Sequence, residues 1–125
     1  MKIQLKEASS RAGFATALPS YHPVGYSLEQ LQYSSGIFSG EYTSKSNATL
    51  AYTVTQRSTS WSSQELLAQY VALNTPNYHV VQLGSLTIYL YGNGAATWVR
   101  NSVWYQITSD GSLNQSQLID MANSL

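Results

Sequence analysis

The stretch "YHVVQLGSLTIYLYGNGAATWVRNSVWYQITS", residues 78–109, decides the fold. It holds four runs, "YHVVQLG", "LTIYLYG", "AATWVRNS" and "VWYQITS", rich in β-branched and aromatic residues. Gly84-Ser85, Gly92-Asn93-Gly94 and Asn101-Ser102 separate them, each short enough to close a hairpin. Runs joined by such tight turns pair with their neighbours in sequence, which predicts an antiparallel meander. Alternation along each run assigns faces. Leu86, Ile88 and Leu90 share one face and Tyr89 and Tyr91 the other, while Trp104 opposes Val103, Tyr105 and Ile107.

Immediately upstream, "SWSSQELLAQYVALN" abandons the alternation. Leu66, Leu67, Tyr70 and Val71 recur at the spacing of an amphipathic helix, and Ser62 with Glu65 three residues on forms a capping box. Asn74, Pro76 and Asn77 end it. Further upstream the period returns to two. "YSLEQLQYS" and "GIFSGEYTS" flank Ser35-Gly36, and "ATLAYTVTQRS" sets Leu50, Tyr52 and Val54 against Thr49, Ala51, Thr53 and Thr55. These are three more strands.

The chain's two ends complete the order. Downstream, Asp110-Gly111 closes the meander and "NQSQLIDMANSL" places Leu118, Ala122 and Leu125 on one helical face, with Asn114 as its cap. Residues 2–17 carry Leu5, Ala8, Ala12 and Ala15 at near-helical spacing. Pro19 and Pro23 then hold the segment of residues 18–25 extended, and Gly25 permits a turn before the first strand. The expectation is a single α+β domain over residues 1–125. Its core is a curved antiparallel sheet of about seven strands, three plus four split by a helix, with N-terminal, middle and C-terminal helices packed on one face.

Composition narrows the partners. Six basic and six acidic residues cancel, and only 10% of the chain is charged against roughly 25% in typical soluble domains. No overall field draws the chain to nucleic acid, and the cluster Lys2, Lys6, Arg11 reads as a solvated terminus. There is no cysteine, so neither a disulfide frame nor a thiolate zinc site. No apolar run approaches the roughly 18 residues that span a bilayer.

Catalytic signatures are equally sparse. His22 and His79 are the only imidazoles, and a metal would need Glu29, Glu41, Glu65, Asp110 or Asp120 without any His-x-His, His-Glu-x-x-His or Asp-x-Asp spacing. "SSGIFSG" lacks the spacing of a nucleophile elbow, and "GNGA" has no following Lys and reads as a hairpin turn. The glycosylation-like triplets at Asn47 and Asn114 arise easily in a chain rich in Asn and Ser. No metal, no cofactor and no catalytic residue is expected.

Ten tyrosines and three tryptophans say more. If the aliphatic face of the meander meets the helices, Tyr89, Tyr91, Thr97 and Trp104 lie on the opposite face. Exposed aromatics among hydroxyls and amides suit stacking on sugars or anchoring a protein. Ordinary sheet packing, cross-strand aromatic pairs or a second small core would use the same residues.

Three segments in order carry a resemblance: "LPSYHPVGYSL", "YLYGNGAATWVRNSVWYQITSDGSL" and "QLIDMANSL". Together they resemble the bacterial family known as domain of unknown function 4367. Its members show a Pro-Tyr-x-Pro-x-Gly-Tyr lead-in, a Gly-rich hairpin before a Trp-bearing strand, and a closing helix ending in Ala-x-Ser-Leu. Here Ser20 intervenes between Pro19 and Tyr21, while Pro23, Gly25 and Tyr26 fall in place. The resemblance covers about residues 12–125. It implies an extracytoplasmic domain, commonly carried after one membrane-spanning segment and sometimes fused to anti-sigma-factor-like regions. It supplies no catalytic residues. With no such segment ahead of Lys2 in the sequence, two expectations stand: a piece cut from a longer anchored protein, which is favoured, or a member that lacks the anchor. Non-enzymatic sensing or binding through Tyr89, Tyr91, Thr97 and Trp104 is expected, the partner being another protein or a cell-wall component. A cell-wall glycan-binding module and a small hydrolase using His22 or His79 are the alternatives. Open sheet edges also allow a homodimer.

Overall fold

In the computed structural model the described residues are 25–34, 36–46, 51–75, 77–92, 94–109 and 113–125. The expected N-terminal helix (residues 1–17) and nearly all of the Pro/Gly lead-in lie outside them. Gly25, the last residue of that lead-in, adopts φ 90°, the turn conformation its lack of a Cβ permits.

Seven strands form one open antiparallel sheet: β1 (Tyr26–Ser34), β2 (Ile37–Ser44), β3 (Ala51–Ser58), β4 (His79–Leu83), β5 (Leu86–Tyr91), β6 (Ala95–Arg100) and β7 (Val103–Ser109). Their order across the sheet is β1-β2-β3-β7-β6-β5-β4. Each meander pairs internally, and the last strand of the second returns to pair with the last strand of the first. With every pair antiparallel, β3 and β4 run the same way with three strands between them, so the chain must cross over one face to connect them.

Helix α1 makes that crossing. It comprises an α-helical turn (Ser63–Leu66), a π-helical turn (Leu67–Val71) and a final α-helical turn (Ala72–Asn74). The Ser62–Glu65 capping box closes in both directions, at 3.2 Å each way, a device that contributes about 1 kcal/mol. At the other end Asn74 Nδ2 and Thr75 Oγ1 donate to the carbonyls of Tyr70 and Val71. The π turn widens the spacing so that Leu66 and Val71, five residues apart, are both fully buried. Helix α2 (Gln115–Ser124) is capped by Asn114 with Gln117 answering, and buries Leu118, Met121 and Ala122.

The two described helices lie on opposite faces, which corrects the expectation of helices on one face. Helix α2 covers Leu86, Ile88, Leu90, Ala96, Trp98, Val103, Tyr105 and Ile107, continuous with Tyr42, Tyr52 and Val54. Trp98 is fully buried there and stacks on Tyr105 with ring centroids 5.3 Å apart. Helix α1 sits on the reverse, with Leu66 and Val71 against Tyr89. The reason is topological. A four-strand meander whose aliphatic face is taken by the terminal helix leaves only its aromatic face for the crossover.

Among the described residues, strand β1 contains the sheet's one register shift, between Leu28 and Gln30. The extra residue, Glu29, lets Leu28 and Leu31 both lean over Gly40, where a Cβ would stand 3.6 and 3.4 Å from their methyl carbons. The i, i+3 spacing of the two leucines, irregular for a strand, is thereby reconciled with one face.

The turn between β6 and β7 holds Asn101 and Ser102 at φ 53° and 62°. Both central residues of such a turn sit in the left-handed region, where Asn is tolerated and Ser is strained. Ser102→Gly is expected to raise stability by about 1 kcal/mol, seen as a higher urea midpoint at unchanged slope. A lower midpoint would show that the Ser102 side chain contributes more than its backbone strain costs.

Candidate functional site

The α1-side face of the sheet divides into two halves. Under α1, Tyr89 and Thr97 are 3% and 0% exposed. Tyr89 Oη donates to the Ser63 carbonyl at 2.8 Å and so ties the first turn of α1 to β5. Thr97 Oγ1 donates to the Tyr105 carbonyl at 2.7 Å and accepts from Trp104 Nε1 at 2.6 Å. Both side chains expected on an open contact face are instead internal. A hydroxyl enclosed by a helix and a sheet must find partners, and each has done so.

Tyr91 and Trp104 are half-buried and stand at the border of the covered half. Tyr70, delivered by the π turn, meets Trp104 edge-on at 5.0 Å, and Trp61, just before α1, packs tilted against the same indole at 5.1 Å. From β3 the Arg57 guanidinium lies over Trp104, 4.5 Å from its centroid. Each aromatic pair contributes roughly 0.5–1.5 kcal/mol beyond area burial and the cation–π contact roughly 0.5–1 kcal/mol, so the cluster is self-supporting. Gln106 Nε2 donates to both Tyr70 Oη at 2.8 Å and Tyr91 Oη at 2.7 Å.

Beyond Trp104 the face changes character. The register lines up Gln106, Thr55, Ser39 and Gln32 in one row across β7, β3, β2 and β1, and the neighbouring row carries Thr108, Thr53, Glu41 and Gln30. These side chains are all half-buried or exposed. The apolar cluster beneath α1 takes no described member from β1, β2 or β3. Gln30 Nε2 donates to Glu41 Oε2 at 2.6 Å within the second row, and just beyond it Thr43 Oγ1 donates to Glu29 Oε2 at 3.4 Å. A hydroxyl and amide shelf thus abuts an aromatic wall that carries one cation.

Sequence reading reached two residues of this border, Tyr91 and Trp104, and missed Trp61, Tyr70, Arg57 and Gln106. Tyr70 looks like one more apolar position of a helix, and Arg57 and Gln106 like ordinary outward residues of alternating strands. Tertiary placement brings them together: the β3–β7 register sets Arg57 beside Trp104, and α1 carries Trp61 and Tyr70 onto the same indole. Of the histidines, His22 lies outside the described residues. His79 is exposed on β4 and borders a cavity of about 190 Å³ with Asn77, Tyr91 and Gln115. Among the described residues lining that cavity there is no serine, threonine or carboxylate.

Residues 16–125 match the family described as Domain of unknown function (DUF4367). The chain belongs to that family. The match spans the described sheet and both described helices, so the crossover and its aromatic border lie within the DUF4367 domain. No curated protein and no solved structure matches the chain.

Burial pushes the Tyr91 hydroxyl up to about 12, partly offset by the Gln106 hydrogen bond and reinforced by Tyr70. Burial also raises Tyr89, with Tyr78 adding to it, and raises Tyr42. A tyrosine whose folded value lies above its ordinary value of 10.0 contributes stability fully present below pH 10, lost as pH rises through about 12. Stability should therefore fall over that window, and Tyr91→Phe should make the fall shallower and remove a late step from the ultraviolet tyrosinate titration. Gln106→Leu should cost about 1–3 kcal/mol in urea unfolding, because two tyrosine hydroxyls lose their shared donor. An unchanged midpoint would mean that water replaces the amide.

Proposed function

We propose that this DUF4367 domain is a non-enzymatic binding module of a membrane-anchored bacterial protein, acting on the extracytoplasmic side. Its contact surface is the polar shelf of β1–β3 and β7 together with the wall of Trp61, Tyr70 and Trp104. One observation carries the reading: α1 covers half of its face of the sheet, and the uncovered half begins at a partly exposed indole. Of the four side chains expected at the site, Trp104 and Tyr91 keep that role at the border, while Tyr89 and Thr97 hold the wall in place from below. The cellular setting rests on the family resemblance.

The side-chain chemistry favours a cell-wall glycan over a charged ligand. The two rows offer hydroxyls and amides that both donate and accept, as sugar hydroxyls require, and the indoles offer apolar faces on which rings stack. Glu41 and Glu29 are already engaged by Gln30 and Thr43, and Arg57 by Trp104.

Soluble peptidoglycan fragments titrated into the protein should change its tryptophan fluorescence with a saturable midpoint. Trp98, fully buried on the other face, should not respond. Trp61→Ala should weaken binding tenfold or more, about 1.4 kcal/mol, and lower the unfolding midpoint only by the amount its lost contact with Trp104 accounts for, roughly 0.5–1.5 kcal/mol. Absence of any fluorescence or amide-shift response on the shelf, with intact sacculi failing to co-sediment the protein, would reject the glycan reading.

A further inference from the structure

The sheet has two margins, β1 and β4. A margin strand turns a row of backbone N–H and C=O groups outward, which templates pairing with another strand. The two margins differ in how they meet that hazard. Strand β1 is broken by its bulge at Glu29, which adds a charge and a local twist. Strand β4, "HVVQL", pairs with β5 without interruption from His79↔Leu90 to Leu83↔Leu86 and contains no Lys, Arg, Asp, Glu, Pro or Gly. Among the described residues no strand lies beyond it. Three large apolar side chains of the described residues are exposed: Leu28 at 40%, Val80 at 53% and Leu73 at 72%. Val80 is on β4, and Leu73 is in the last turn of α1, which leads into β4.

We infer that β4 is a self-association strand: two copies of the chain pair antiparallel through β4 and join their sheets into one. A two-fold axis normal to the sheet keeps each side chain on its own face, so residues that oppose one another must both be even-numbered or both odd-numbered. The register that sets Val80 against its own counterpart satisfies this rule. It opposes His79 to Val81 and buries the exposed valine against an identical one. No acidic or basic side chain faces another.

Self-complementarity is what selects a second copy over a foreign strand. The apolar group that Val80 needs at its own height is present on the same strand. The chain's formal net charge of 0 sets up no long-range repulsion between copies. Because the other margin is bulged, only one edge pairs, and the association closes at two copies where two usable edges would build a fibre. In this register only residues 79–81 of each β4 oppose the other β4, which makes a small interface, so the dimer dissociates on dilution. The inference stands apart from the binding reading, since β4 and the polar shelf are at opposite ends of the sheet.

Sedimentation velocity on the chain over a range of concentrations is expected to show a monomer–dimer equilibrium without higher species. Val80→Lys should weaken dimerisation at least tenfold, and Leu28→Lys at the bulged margin should leave it unchanged. Val80→Thr keeps the β-branch and guards against a folding defect, and it should weaken dimerisation less than the lysine. Amide exchange in β4 should slow as concentration rises. A monomer at every concentration, a dimer indifferent to Val80→Lys, or one broken by Leu28→Lys would overturn the inference.

Discussion

The pairing of β3 with β7, registered from Tyr52↔Ser109 to Ser58↔Val103, is the constraint on which the rest of the structure depends. Every other strand pair in the described sheet joins neighbours in sequence and can form locally. This one closes the loop from Ser58 to Val103, more than a third of the chain, before any contact rewards it, an entropic cost that grows slowly with length but must be met all at once. What meets it is burial on the α2 side, where Tyr52 and Val54 from the first meander become continuous with Tyr105 and Ile107 from the second. Neither meander alone has that core.

Once β3 and β7 are joined, the position of α1 follows. The chain leaves β3 in the middle of the sheet and must begin β4 at the margin, so α1 is laid over the second meander and cannot reach the first. Its apolar stripe then falls on Tyr89, with Trp61, Tyr70 and Trp104 around it. The π turn belongs to the same constraint, for it brings Leu66 and Val71 into the core together while leaving Tyr70 at the border. One long-range pairing thus makes one half of the face a core and leaves the other half polar.

Much of this was legible in the amino-acid sequence because it is decided locally. Alternation marks the seven strands, Asn101-Ser102 marks a two-residue turn, and Ser62–Glu65 and Asn114 mark helix starts whose hydrogen bonds close as their chemistry requires. What was not legible depends on strand order. Alternation places Tyr89, Tyr91, Thr97 and Trp104 on the face opposite Leu86, Ile88 and Leu90, and the strand register agrees. Whether that face is open or covered is a property of where the crossover runs, and no local pattern encodes it.

The polar half of the sheet carries the last step. A strand needs an apolar residue only where its face meets a core, and Thr53, Thr55, Ser39, Gln30 and Gln32 meet none among the described residues. Such residues are free to be any soluble type, and lysine or glutamate would blunt the surface more effectively. Here a nearly neutral set stands where two rows cross four strands, and beside it is an aromatic wall held in place by Gln106, which donates to Tyr70 and Tyr91, and by Thr97, which accepts from Trp104. Rigid backing behind partly exposed rings reduces the entropy lost on ordering a contact surface. The internal placement of Thr97 and Tyr89 therefore serves the border it supports: the groups removed from contact are the ones that hold Trp104 and α1 still.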